Sequence, residues 1–132
     1  MQDVMPQELE VRYILPAIRK ELAKIFIENH RLSQKEAAKM LGLTESAISQ
    51  YQHSKRAREV AFNSQIIKEL KVSAERIISS KIKRQKLIEE MYRISNLAEV
   101  KQVLCGLHRS QSKELQNCNI CFDSLIKIKT GD

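Results

Sequence analysis

A chain of 132 residues that is 42% hydrophobic and lacks tryptophan is enough for one small domain, or for one such domain with an extension. Its three glycines and two prolines are too few for the many turns of a β-rich fold. No apolar run approaches the roughly 18 residues of a membrane span, and no signal-peptide pattern is present, so we expect a soluble, cytoplasmic protein without a membrane partner.

The net charge of +7 is uneven along the chain. Residues 1–54 hold seven basic and seven acidic side chains, residues 55–93 hold 11 and five, and residues 94–132 hold five and four. The positive excess therefore begins near residue 55. Such a concentration of lysine and arginine is typical of proteins that contact phosphates.

The hydrophobic pattern predicts helices along nearly the whole chain. Apolar residues recur at three- and four-residue spacing in Leu15, Ile18, Leu22, Ile25 and Phe26. This spacing predicts a helix from about Pro16 to Asn29, and proline suits its first turn, where no backbone N–H is needed. Residues 8–15 are expected to form a shorter helix or an extended lead-in.

Further helices are predicted beyond residue 60. Residues 61–70 form one, and a second helical region reaches Ile94, with a break near Val72 and Ser73. Ser95 or Asn96 is the expected N-cap of the next helix.

The C-terminal part is predicted to contain a loop and a last helix. Residues 106–117 are the most polar stretch and the predicted loop, and residues 120–128 form the predicted helix. The fold is therefore expected to be all-α.

Residues 34–51 (QKEAAKMLGLTESAISQY) have the pattern of a helix-turn-helix. Ser33 and Glu36 form the capping box of its first helix. Gly42 falls where that helix must end in a tight turn, and Thr44 is placed to cap the second helix, which runs toward His53. These signals agree in one register, which favours a helix-turn-helix over an ordinary helical hairpin.

The two motif helices are predicted to share an apolar seam of Ala37, Ala38, Leu41, Leu43, Ile48 and Tyr51. The outward face of the second helix then carries Glu45, Ser46, Ser49, Gln50 and His53. Short and amide-bearing side chains of this kind suit the edges of bases in a major groove.

The basic residues that follow the motif are candidate phosphate contacts. Lys55 and Arg56 directly follow the recognition helix, and we favour phosphate contact for both. For the cluster Lys81, Lys83, Arg84 and Lys86, a solvated helix face is an equally good interpretation.

One recognition helix covers few base pairs, so a homodimer is expected. The isoleucine-rich helices within residues 60–104 are the predicted interface. The alternative is that their apolar residues complete the core of the monomer. The predicted division of the chain is a DNA-binding domain over residues 1–58 and a helical dimerisation region with a cysteine site over residues 59–132.

Three cysteines lie near the C-terminus. Cys118 and Cys121 form a Cys-x-x-Cys pair, and Cys105 lies 13 residues before Cys118. Thiols in this pattern can bind an iron–sulfur cluster or zinc, although either usually needs four ligands. His108, or the same pair in a second protomer, could complete the set. Equally, the cysteines could be small apolar residues that pack a helix.

The stretch VRYILPAIRKELAK (Val11–Lys24), followed by LSQKEAAKMLGLTESAISQY and a basic connector, resembles a family of predicted archaeal transcriptional regulators. These have a Cro/repressor-type (Xre-like) helix-turn-helix, and short members often carry a C-terminal Cys-x-x-Cys. The resemblance covers residues 8–58 well, the terminal CNIC loosely and the middle hardly at all. Its specific part is Leu15–Arg19, since many repressors share the helix-turn-helix.

The resemblance implies that Gln34 contacts a phosphate and that Thr44, Ser46, Ser49 and Gln50 face the groove. Glu45 departs from the family, whose members often have glutamine at that position. A carboxylate can only accept hydrogen bonds, so it would favour cytosine N4 or lie away from the DNA.

Sequence therefore predicts a homodimeric, double-stranded-DNA-binding transcription regulator. The alternative is an antitoxin-like or scaffold protein whose helices bind a protein partner. A thiol redox enzyme is disfavoured, because no phosphate loop, acid–base cluster or small-molecule substrate pattern accompanies the cysteines.

Overall fold

The computed structural model describes residues 4–53, 60–111, 113–118 and 120–121, except for the side chain of Gln52. These residues are mainly helical and include no strand, which confirms the predicted all-α class. The helices are α1 (Pro6–Leu9), α2 (Leu15–His30), α3 (Gln34–Met40), α4 (Glu45–His53), α5 (Ser64–Ser79), α6 (Lys83–Ser95) and α7 (Ala98–Arg109). A π-helical turn (Glu10–Ile14) precedes α2, and a 3₁₀ turn (Lys113–Leu115) follows α7. None of the helices described here is both long and apolar enough to cross a membrane.

Pro16 explains the unusual start of α2. A proline ring in a continuous helix removes one backbone donor and crowds the carbonyl four residues earlier, here that of Arg12. The chain widens into the π-helical turn at this point, where the Leu15 N–H donates to the Glu10 carbonyl. The lead-in is therefore helical, one of the two forms predicted for it.

The predicted break near Val72 and Ser73 is wrong, because α5 runs through both residues to Ser79. Serine in mid-helix often competes for backbone hydrogen bonds. Here Ser73 is fully buried, and its hydroxyl donates to Glu90 Oε1 at 2.8 Å. A partner 17 residues away therefore holds the serine inside the helix.

The break between α5 and α6 lies instead at residues 80–82. Lys83 stabilises it, because its Nζ donates to the carbonyls of Ile78 (3.0 Å) and Ser80 (2.8 Å). These carbonyls lie at the C-terminal end of α5, where a cation is electrostatically favourable. At the other end of α5, Asn63 is the N-cap and accepts from the Ile66 N–H at 2.9 Å, so the helix starts later than residue 61.

Two predictions near α7 also need correction. Neither Ser95 nor Asn96 is its N-cap: Leu97 holds that position, and the Asn96 amide instead donates to the Tyr92 carbonyl at 2.9 Å. The predicted loop over 106–117 begins later, because α7 continues to Arg109. Of the predicted last helix, residues 120–121 are helical, and the rest lies outside the described residues.

One hydrophobic core draws on both predicted parts of the chain. α5 packs against α2 and α6, and its Ile66, Leu70 and Ile77 are fully buried with Phe26 of α2. Most apolar residues within 60–104 that were candidates for a dimer interface therefore serve the monomer core. The large apolar side chains that stay exposed in this range are Ile82, Ile88 and Tyr92.

A buried polar network joins α5 to α6. Glu90 is only 4% exposed, and its Oε1 accepts from Ser73 Oγ and from Arg93 Nε at 3.0 Å. Arg93 also donates to Ser73 Oγ at 2.9 Å and pairs with Glu69, while Arg76 lies 3.5 Å from Glu90 Oε2. Burial alone would raise the pKa of Glu90, but the hydrogen bonds from Ser73 and Arg93 and the nearby guanidinium charges lower it overall.

Replacing Glu90 should destabilise the protein strongly. Glu90→Gln leaves two guanidinium groups without one of their carboxylates, and we expect it to lower the free energy of unfolding by about 3 kcal/mol. Glu89→Gln is the matched control, since Glu89 is exposed and forms a surface pair with Lys86, and it should cost less than about 1 kcal/mol. Urea denaturation followed by circular dichroism measures both; equal losses would show that the network contributes nothing beyond a surface pair.

The contribution of Glu90 should also depend on pH. Its folded pKa is lowered, so the stability it supplies is complete above the unfolded glutamate pKa of about 4.3 and is lost as pH falls through the folded value. The difference in unfolding free energy between the wild type and Glu90→Gln should be constant near neutral pH and shrink below about pH 4.3. A difference that grew on acidification would contradict this assignment.

Candidate nucleic-acid interface

The start of α3 carries the predicted capping box. The Glu36 N–H donates to Ser33 Oγ at 3.0 Å, and the Ser33 N–H donates to Glu36 Oε1 at 3.2 Å. Two backbone donors that a helix start leaves unpaired are thus satisfied reciprocally. Gln34, the first residue of α3, is exposed immediately beside this cap.

The turn between α3 and α4 depends on Gly42. Its φ is +67°, a left-handed conformation that glycine adopts with little strain. The Leu43 N–H donates back to the Ala38 carbonyl at 2.8 Å, which closes the end of α3. The Arg84 guanidinium of α6 lies directly against Gly42, where a Cβ would overlap it. Glycine is therefore required for the backbone conformation, and a Cβ here would make the flexible end of Arg84 move aside.

The start of α4 is capped as predicted. The Ala47 N–H donates to Thr44 Oγ1 at 3.1 Å. The seam between the motif helices is also formed as predicted: Ala37, Ala38, Leu41 and Ile48 are buried, and Leu43 and Tyr51 are half-buried. A hydrogen bond from Arg19 Nη1 to the Tyr51 hydroxyl, at 3.4 Å, links the end of α4 to α2.

The predicted recognition face lies on the solvent side of α4. Thr44, Glu45, Ser46, Gln50 and His53 are exposed, whereas Ser49 is half-buried. The hydroxyl of Ser49 is therefore less accessible than its position on the helix alone suggests. Glu45 is the acidic residue of this face, which otherwise carries hydroxyl, amide and imidazole side chains.

Basic residues within the motif add to this face. Arg31 and Lys35 are exposed on either side of Ser33 and Gln34, and the described part of the chain offers neither an ion pair. Because residues 1–54 have equal numbers of basic and acidic side chains, their net charge did not point to Arg31 and Lys35. The signal that identifies them is exposure near the start of α3.

The basic residues after the motif are only partly described. Lys55 and Arg56, the predicted phosphate contacts, lie outside the described residues. Within the cluster at 81–86, Lys83 binds carbonyls of α5 and Lys86 pairs with Glu89 at 2.8 Å. These two lysines therefore have structural partners, while Lys81 and Arg84 remain exposed.

The structure brings Cys121 close to Cys105. Cys105 is buried on α7, and burial together with the hydrogen-bonded thiol of Cys105 raises the pKa of the Cys121 thiol. Arg109 holds the segment that carries Cys118, since its Nε and Nη2 donate to the Cys118 carbonyl at 2.8 and 2.6 Å. The three cysteines thus share the end of α7.

A metal site is not formed by the residues that the structure describes. Among them, no group of three or more histidine, cysteine or acidic side chains is arranged to hold a metal ion. His108, the suggested fourth ligand, places Nε2 2.8 Å from the Val4 carbonyl, which ties that nitrogen to the segment before α1 rather than to the cysteines. The donor set within one described chain therefore does not fit a four-ligand centre.

Comparison with known proteins adds no relative: no protein-family model, curated protein or solved structure matches this chain. The resemblance to Xre-like archaeal regulators consequently depends on the motifs themselves.

The two glycines on helices or at helix ends should respond oppositely to alanine. Gly42→Ala should lower the free energy of unfolding by about 1–2 kcal/mol from backbone strain, with at most a small further loss because the flexible Arg84 guanidinium has to move aside. Gly106→Ala is the control, because Gly106 is helical and its added Cβ meets no atom within 4 Å, so it should stabilise by about 0.5–1 kcal/mol.

Thermal and urea unfolding measure these changes. The double variant Gly42→Ala with Arg84→Ala should avoid the overlap but keep the backbone strain. Any loss of stability caused by the overlap should therefore appear as non-additivity of the two substitutions. Strict additivity would show that Arg84 does not press on the turn.

Proposed function

We propose that the protein is a sequence-specific DNA-binding transcription regulator that acts as a homodimer. The observation that carries this proposal is the pairing of two capped helices across a left-handed glycine turn, with polar side chains exposed on the second helix. This arrangement is what a helix-turn-helix needs in order to present α4 to a major groove.

The division of roles follows from chemistry and exposure. Gln34 beside the α3 cap, with Lys55 and Arg56 after α4, would contact phosphates and set the register. Ser46 and Gln50 would read base edges, and an amide such as Gln50 can make a bidentate contact with adenine. Ser49, being half-buried, would make at most a shallow contact.

Glu45 affects which base α4 is expected to prefer. It is exposed in the first turn of α4, where a carboxylate is favourable for the helix but repels a phosphate. A base contact through Glu45 would have to be with a donor, of which cytosine N4 is the one in the major groove that suits a carboxylate.

Dimerisation remains part of the proposal, because a single α4 spans too few base pairs for a specific site. Ile82, Ile88 and Tyr92 are the exposed apolar side chains of residues 60–104 that could support it. The same residues favour the second candidate function, a module that binds a protein partner. A protein that enriches no sequence from random DNA would support that second function.

Two substitutions separate base reading from phosphate contact. After selection of bound DNA sites, Gln50→Ala should reduce discrimination at one base pair by about 1–3 kcal/mol. Arg56→Ala should weaken all sequences alike and reduce the dependence of affinity on salt.

Exposed residues outside the motif provide the controls. Gln102→Ala removes an amide from α7, and Lys24→Ala removes a positive charge from α2. Neither should change the preferred site. Identical losses for Gln50→Ala and Arg56→Ala on every DNA would refute the division of roles.

Sensing of metal or redox state by the cysteines also stays a proposal. It is supported by the proximity of Cys121 and Cys105, and a second protomer would have to supply the missing ligands. We expect iron or zinc to copurify with protein prepared without oxygen and to be lost in Cys121→Ser. Elemental analysis and an absorption spectrum measure this, and a colourless, metal-free wild type would exclude sensing through a bound metal or cluster.

A further inference from the structure

A groove of about 580 Å³ separates α6 from the helix-turn-helix. One wall is a face of α6 that includes Leu87 and Met91, and the opposite wall is the α3–α4 turn, with Leu41 and Leu43. Leu15, at the start of α2, also lines the groove. This volume is within the range of about 300–1,000 Å³ typical of sites for small organic ligands.

The polar groups of the groove have an excess of positive charge. Arg84 lies against Gly42 at its edge and has no hydrogen bond or ion pair among the described residues. Arg19 also lines the groove, and its guanidinium donates a hydrogen bond to the uncharged hydroxyl of Tyr51. Glu10, the acidic residue in the lining, is paired with Lys101 at 3.6 Å.

Apolar walls and an unneutralised guanidinium select one ligand class. A purely apolar ligand would leave the arginines without partners, and a cation would be repelled by them. An organic acid would place its anion on Arg84, which can bind a carboxylate through two parallel hydrogen bonds, and its apolar body between the leucines and Met91.

We propose that this groove binds an amphipathic organic anion and that its occupation alters the recognition helix. The second part rests on the proposed DNA-binding function. The groove wall is the turn that fixes α4 relative to α3, and Arg84 touches that turn at Gly42. A ligand whose anion attracts the guanidinium removes this contact. The surroundings of the α3–α4 turn therefore differ between the free and the occupied groove.

A fluorescence titration tests the site directly. The probe is 8-anilinonaphthalene-1-sulfonate, an apolar anion, added to the full chain in its folded state as verified by circular dichroism. We expect one saturable site from which octanoate displaces the probe, whereas octanol competes more weakly and octyltrimethylammonium does not compete.

Variants assign the site to this groove. Arg84→Gln should weaken octanoate about tenfold or more, the effect of losing a charge-assisted hydrogen bond. Met91→Trp places a bulkier side chain in the apolar part of the groove and should weaken binding without removing a charge. Lys24→Gln, which removes an exposed charge on α2, should bind as the wild type does. Equal octanoate affinity in the wild type and Arg84→Gln would overturn the proposal.

The other occupant to consider is a second copy of this chain, because Ile88 (52% exposed) and Tyr92 (70% exposed) border the groove. If a second copy filled it, probe binding would increase on dilution and Met91→Trp would yield monomers in light scattering. That result would overturn the ligand site.

The regulatory part has its own measurement. Saturating octanoate should shift the affinity of the wild type for its selected DNA several-fold and leave that of Arg84→Gln unchanged. Probe binding without any such shift would overturn the regulatory part alone. A chain that binds the probe but enriches no DNA sequence would refute the DNA-binding function while the ligand site stands.

Discussion

The buried hydrogen bonds between Glu90, Arg93 and Ser73 determine the position of α6, and one wall of the groove depends on that position. They hold α6 beside α5, whose Ile66 and Leu70 form the core with α2. A charged network in a core is costly unless every group is satisfied, and in the described part of the chain every buried side-chain nitrogen or oxygen has a partner. Such a network tolerates few alternative packings. It therefore fixes the face of α6 that meets the helix-turn-helix and forms one wall of the groove.

The two capped helices α3 and α4 and the turn between them could be predicted because their signals are local. The cap contacts of Ser33 and Thr44 each span three residues, and the requirement for Gly42 comes from the backbone itself. Exposure of the recognition face also follows from helical periodicity once Ile48 is assigned to the core. Ser49 shows the limit of that inference, because periodicity gives the direction of a side chain but not how far its neighbours cover it.

The errors arose where distant residues decide the local structure. A serine beside a β-branched valine favours a helix break, yet Ser73 lies inside α5 because Glu90 and Arg93 hydrogen-bond to it from another helix. The groove was beyond sequence analysis for the same reason. Its walls come from segments that are 40 or more residues apart, Leu41–Leu43 and Arg84–Met91, and no pattern within either segment indicates that they face each other.

Charge was the least reliable sequence signal, because a count of basic residues ignores their partners. Within residues 55–93, Arg76 and Arg93 serve the buried network, Lys83 closes the end of α5, and Lys86 pairs with Glu89. The number of basic residues left for a nucleic acid is therefore smaller than the 11 that the segment contains, although its net charge changes little because the acidic partners are already subtracted in it. In the proposed function, phosphate contact would then fall mainly to the residues immediately around the motif, from Arg31 and Lys35 before α4 to Lys55 and Arg56 after it. Arg84 is then better explained by the groove that it borders than by DNA, since its guanidinium points to the turn of the motif and not to the exposed face of α4.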